Sequence, residues 1–191
     1  MTTSFFPGQQ SDEKVLYHTK PVKAVKYVSF AKIILVGILV LFAFQVVALN
    51  LSPIASYVKL AGLILTAVLI TVGIWWVNST HRGTDIFVTD RRFIKFSAIS
   101  PLHKTTRALF WDETVKAKSY HKNAIWEKLL GVGSIEIHAR SQDKDNIDVD
   151  HLIFHEDLAN YIDKILYTYK SKPGELANFK EFVPKPRGKR D

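Results

Sequence analysis

Two histidines and two aspartates lie close together near position 150. His151 and His155 are four apart, and Asp148 and Asp150 alternate just before them. A histidine pair at i, i+4 holds zinc when both rings project from one helical face. Here "HLIFH" spans a predicted strand-to-helix junction, so the two rings need not converge, and the other histidines are scattered singly. Asp148 and Asp150 share one face of a predicted strand, where the plain reading is solvent exposure. The chain has no G-x-S-x-G, no H-E-x-x-H and no phosphate-binding glycine loop. It has no cysteine, which removes a disulfide framework, a zinc–thiolate site and a thiol nucleophile together. The expectation is a non-enzyme with no cofactor and no metal.

A second cluster is cationic. "DIFVTDRRFIKFS" (85–97) joins two alternating apolar runs through a polar corner that carries Arg91 and Arg92. From 91 to 122 there are eight Lys and Arg against two acids; from 123 to 163 there are three against nine. The net charge of +8 in 191 residues is therefore distributed, and its placement decides its meaning. Near an anionic leaflet each cation contributes about 1 kcal/mol, so three or four would orient a domain. Arg91, Arg92, Lys95, Lys104 and Arg107 are the candidate headgroup contacts, with solvated strand faces as the plain alternative.

The elements that position these residues begin with two uncharged runs, "IILVGILVLFAFQVVAL" (33–49) and "LAGLILTAVLITVGIWWVNST" (60–80). About 20 apolar residues cross a ~30 Å hydrocarbon core as a helix. Transmembrane helices are predicted over 27–49 and 60–80, the first with Lys32 snorkelling to the headgroups. Both runs are apolar all round, unlike a helix with one face in water, and a cleavable signal peptide would not begin so late. The linker "NLSPIASYVK" is short and holds only Lys59, whereas Lys14, Lys20, Lys23, Lys26, Arg82, Arg91 and Arg92 lie on the outer flanks. The positive-inside rule then places both termini in the cytoplasm, with Trp75 and Trp76 as interfacial anchors. This accounts for much of the charge and weakens a nucleic-acid reading. Gln45, Thr66 and Thr71 are expected to bond across the hairpin or to their own helix carbonyls. Neither span holds an ionisable group of the kind a transport pathway uses.

After Arg82 the pattern changes to period two. Strands are predicted at "DIFVT", "RFIKFS", "TTRALFW", "TVKAKSY", "GSIEIHA" and "IDVDHLIF", with Ile135, Ile137, Ile147 and Val149 inward. "NAIWEKLLG" reads as a helical turn, with Gly131 as its stop and Gly133 as a close approach at the next strand. Leu158, Tyr161, Ile162, Ile165, Leu166 and Tyr169 form one helical stripe, predicting a helix over 155–169 with Glu156 and Asp157 in its first turn. "EKVLYHTKP", upstream of the spans, reads as a seventh strand of the same sheet. The organisation is a tail (1–11), a first strand and juxtamembrane segment (12–26), the two spans, a domain (83–170) and a flexible basic tail (171–191).

Seven antiparallel strands capped by a C-terminal amphipathic helix resemble the pleckstrin-homology fold. "DEKVLYHTKP", "DIFVTDRRFIKFS" and "AIWEKLLGVGSIEIHA" look like the bacterial pleckstrin-homology-like membrane proteins, which place such a domain after a two-helix hairpin. The matching motifs are Val88-Thr89-Asp90-Arg91-Arg92 and Leu129-Leu130-Gly131-Val132-Gly133, and the resemblance covers about residues 12–169. It implies a membrane protein with an α+β cytoplasmic domain, in the bacterial inner (cytoplasmic) membrane. In that fold the loop between the first two strands often binds phosphoinositides; here the membrane hairpin occupies it, which argues against that mode.

Two function classes follow. One is a membrane-tethered interaction module that recruits or assembles proteins at the inner leaflet, its partner an unknown protein or a second copy. The other is a module that senses anionic phospholipid headgroups through its basic half.

Overall fold

The computed structural model describes residues 5–122 and 124–184. The chain divides into two compact units, one made of Lys23–Arg82 with Ala98–His103, the other of the remaining residues.

The helical unit holds α1 (Lys23–Asn50) and α2 (Ala55–Arg82), each of 28 residues, joined by a 3-10 turn at Ser52–Ile54. Both are long and apolar enough to cross a membrane, and each extends beyond the predicted span into its polar flank. They pack antiparallel through small residues. A Cβ at Gly37 would meet Ile70, one at Gly62 would meet Phe44, and one at Gly73 would meet Ile33, all within 3.0 Å. Glycine at these positions lets the helices approach closely. Leu35, Phe42, Leu63 and Val68 are among the many large apolar residues left exposed along both helices. Lys26 Nζ donates to Asn78 Oδ1 at 2.8 Å between the start of α1 and the end of α2. Thr66 differs from expectation. It is buried with its methyl toward Gly37, and its hydroxyl makes neither of the two bonds anticipated.

The second unit contains seven strands: β1 (Val15–Thr19), β2 (Asp85–Thr89), β3 (Arg92–Ala98), β4 (Lys104–Phe110), β5 (Thr114–Tyr120), β6 (Gly133–Ala139) and β7 (Ile147–Leu152). Helices α3 (Ala124–Leu130) and α4 (His155–Ser171) complete it. The strands form two sheets rather than one, ordered β1-β2-β3-β4 and β5-β6-β7. The segment upstream of the spans is a strand as expected, and it pairs antiparallel with β2 although α1 and α2 separate them in the chain, with Val15 opposite Thr89. One core is shared by both sheets and α4: Ile86, Val88 and Phe93 meet Ile135, Ile137, Ile147 and Val149, closed by Leu158, Ile162 and Ile165. The inward and outward positions of β6, β7 and α4 match the sequence reading, because period two and period 3.6 each leave one apolar face. The opposite face of the first sheet is covered by the N-terminal segment, where Phe6 packs on Phe87 and Ile94.

Two parts differ from expectation. Residues 5–11, expected as a tail, place Phe6 in that second cluster and Gln10 beside Arg91. The C-terminal tail, expected to be flexible from 171, instead forms a 3-10 turn at Pro173–Asn178 and lies against the domain as far as Phe182. The Phe182 amide donates to the Leu16 carbonyl of edge strand β1 at 3.1 Å. Phe179 and Phe182 surround Tyr161, whose hydroxyl donates to the Lys180 carbonyl at 2.6 Å. Charge and proline dominate this stretch, so its two phenylalanines do not form a periodic pattern. Residues 185–191 of the expected tail lie outside the described residues.

Gly131 has φ +64°, the left-handed stop expected after α3. Gly133 is the close approach: a Cβ there would lie within 3.0 Å of the His155 imidazole, which is itself buried. Replacing Gly133 with alanine is therefore expected to destabilise the domain by about 2–3 kcal/mol, since the ring has no room to retreat. Gly131→Ala is expected to cost only about 1 kcal/mol. Denaturant unfolding in detergent micelles ranks the two.

Candidate functional site

The cationic corner is densely hydrogen-bonded. Because Val15 opposes Thr89, the residues just before β1 lie beside those just after β2. Backbone bonds fix that junction: the Lys14 amide donates to Asp90 Oδ1 at 3.0 Å, and the Asp90 amide to the Lys14 carbonyl at 3.1 Å. Glu13 is thereby placed against Arg92. Arg92 Nε donates to Glu13 Oε1 at 2.9 Å and Nη2 to Oε2 at 2.8 Å, a bidentate pair. The Glu13 side chain is fully buried and that of Arg92 is 16 % exposed. Arg92 also donates to the Gly8 carbonyl at 2.8 Å, and its guanidinium lies over the rings of Phe6 and Phe110.

Thr89 organises the turn from beneath. Its hydroxyl accepts from the Arg91 and Arg92 amides and reaches Glu13 Oε1 at 2.8 Å. Burial alone pushes the Glu13 carboxyl up, but bonds from Arg92, Gln10 and Thr89 outweigh it and hold the group below its ordinary value. Arg91 points outward to Gln10 and Asp12, a half-exposed arrangement. Trp111 is the floor. It is fully buried, its indole N–H donates to the Thr89 carbonyl at 3.1 Å, and its amide to the Arg91 carbonyl at 3.1 Å.

The other candidate cations separate into two groups. Lys95 donates to the Asp148 carbonyl, so β3 is tied to β7. Burial pushes its ammonium down, although Asp150 and Asp148 nearby act in the opposite sense. Next to it, Lys122 bridges Asp150 at 3.0 Å and Asp148 at 3.8 Å. The charge polarity along the sequence is thus partly neutralised in space, where the basic strands meet the acidic one. Lys104 and Arg107, by contrast, are exposed on β4 and have no ion-pair partner among the described residues. Trp75 and Trp76 are about half exposed in the last two turns of α2.

The histidine pair does not share a helix face. His151, next to last in β7, has a left-handed conformation (φ 60°), and its Nδ1 lies 3.7 Å from Glu127 Oε1. His155 opens α4 and turns its ring against Gly133 and edge-on to His121, centroids 4.8 Å apart. Among the described residues no group of three His, Asp or Glu is arranged to hold a metal ion.

Sequence reasoning missed a surface on α3. Ile125 and Leu129 are 82 % and 75 % exposed, four residues apart, while Glu127 between them turns into the domain and is buried. Ile153, two residues past His151, is also exposed. The spacing was visible in "AIWEKLL", but a seven-residue helix has no measurable period from which to tell its inner from its outer face. No family model, curated protein or solved structure matches this chain. Its chemistry is therefore read from its own residues.

Proposed function

We propose that the chain is a membrane-anchored, pleckstrin-homology-like interaction module that recruits or assembles proteins and performs no catalysis. In this reading α1 and α2 span the bacterial inner membrane and both termini face the cytoplasm. The positive flanks, the apolar exposure along both helices, and a seven-stranded domain closed by α4 support it. The observation that carries it is the apolar pair Ile125 and Leu129, held outward on a short helix whose Glu127 side is buried. Two large aliphatic side chains at i, i+4 suit the apolar centre of a protein contact.

The test is photo-crosslinking from position 125 or 129 in native membranes, followed by a salt series. A stoichiometric protein adduct that survives high salt and disappears in Leu129→Asp is expected. Recovery of lipid alone would sink the reading.

A second reading, sensing of anionic headgroups, is favoured by Lys104 and Arg107. In Lys104→Glu/Arg107→Glu, vesicle attachment of the domain face is then expected to weaken by up to about a thousandfold, because two charge reversals change roughly four unit contributions of about 1 kcal/mol, and about 1.4 kcal/mol is a factor of ten. Surface plasmon resonance on neutral against anionic supported bilayers distinguishes this from an effect on folding.

A further inference from the structure

We propose that the β3–β4 turn, Ile99–His103, is a wedge that enters the interfacial region of the lipid bilayer. The inference rests on the reading of α1 and α2 as membrane spans, and assigns a third, non-helical point of attachment.

Leu102 is 92 % exposed and Ile99 is 63 % exposed. Two large aliphatic side chains at the tip of a turn are unfavourable in water and favourable in acyl chains. Exposure alone would not name the occupant; two further observations do.

The first is where the turn belongs. Ala98–His103 groups with α1 and α2 in one compact unit, apart from the strands that carry it. Its neighbours in that unit are the two helices long and apolar enough to cross a membrane.

The second is the backbone. Entry into a region poor in water is costly for any amide without an acceptor. The Ile99 amide donates to the His103 carbonyl at 3.0 Å and the Ser100 amide to the same carbonyl at 3.3 Å. The His103 amide donates to the Ser100 carbonyl at 3.2 Å and to Ser100 Oγ at 3.0 Å. Pro101 has no N–H. The turn thus supplies acceptors for its own donors at every position from Ile99 to His103 except Leu102. Immediately after it come Lys104 and Arg107, exposed and free to meet phosphates at headgroup level while the aliphatic tip lies deeper.

The absence of cysteine makes the test direct. The full chain with Leu102→Cys is labelled with an environment-sensitive fluorophore and reconstituted into vesicles of mixed neutral and anionic phospholipid. Asp143→Cys, in an exposed turn, is the aqueous reference, and Leu39→Cys, midway along α1, is the lipid reference. Quenching by a nitroxide on a shallow acyl carbon is expected to be at least about threefold stronger at 102 than at 143, with aqueous iodide quenching correspondingly weaker. If 39 is quenched by lipid nitroxide while 102 behaves like 143, the wedge is overturned and the spans stand. If 39 is not quenched, the membrane reading fails and the wedge falls with it. Leu102 is almost wholly exposed, so its replacement leaves the fold intact.

Discussion

Glu13→Ala and Arg92→Ala are each expected to lower the stability of the domain by about 3–5 kcal/mol. Removing one member leaves the other charged and buried without its partner. Arg91→Ala, which breaks an exposed pair, is expected to cost less than about 1 kcal/mol. Denaturant unfolding followed by tryptophan fluorescence in micelles compares the three. The pair also sets a pH dependence. The folded carboxyl of Glu13 lies below its ordinary value, so its contribution is complete above the unfolded value and is lost as pH falls through the folded one. The wild-type midpoint is therefore expected to fall below about pH 4.5, with a smaller fall in Glu13→Gln. The same experiment decides what Arg92 is for. A lipid-reading arginine would lose vesicle binding at unchanged stability, whereas a clasp loses stability first. An unaltered unfolding midpoint in Arg92→Ala would overturn the clasp.

Trp111→Ala is expected to cost about 3–5 kcal/mol, the range for emptying a fully buried indole site. Part of that cost is volume and part is the orphaned Thr89 carbonyl. Trp111→Phe retains most of the volume and gives up the N–H, and is expected to cost about 1–3 kcal/mol. The two variants separate packing from hydrogen bonding beneath the corner. Equal destabilisation by both would show that the bond, and not the filled volume, holds the turn.

The strands, the two long helices and the inward face of α4 were legible because each depends on a local period. The first strand was legible too, since "EKVLYH" alternates even though its partner is distant. Division into two sheets was not, because whether β5 pairs with β4 or starts a second sheet is set by tertiary packing that no single segment encodes. The corner is instructive. Asp12-Glu13 and Arg91-Arg92 are both obvious as charges, and their pairing follows once Val15 is set opposite Thr89. That register is tertiary information. Without it the arginines look like free surface charge, whereas each holds an acidic partner. Lys104 and Arg107 lie exposed on β4 without such a counterpart among the described residues.

The pairing of β1 with β2 has a consequence for the order of assembly. When β1 leaves the ribosome its neighbour in the sheet does not yet exist; two 28-residue helices must be synthesised first. At ~5–20 residues per second the wait is on the order of several seconds. A loop of that length would ordinarily impose a large closure entropy and slow folding. The antiparallel hairpin removes most of that penalty, because Lys26 and Asn78 are brought together before β2 needs its partner. Completion of the first sheet is thereby made contingent on correct pairing of the helices. A chain whose helices fail to pair is left with an unmatched edge strand, and with Glu13 apart from Arg92.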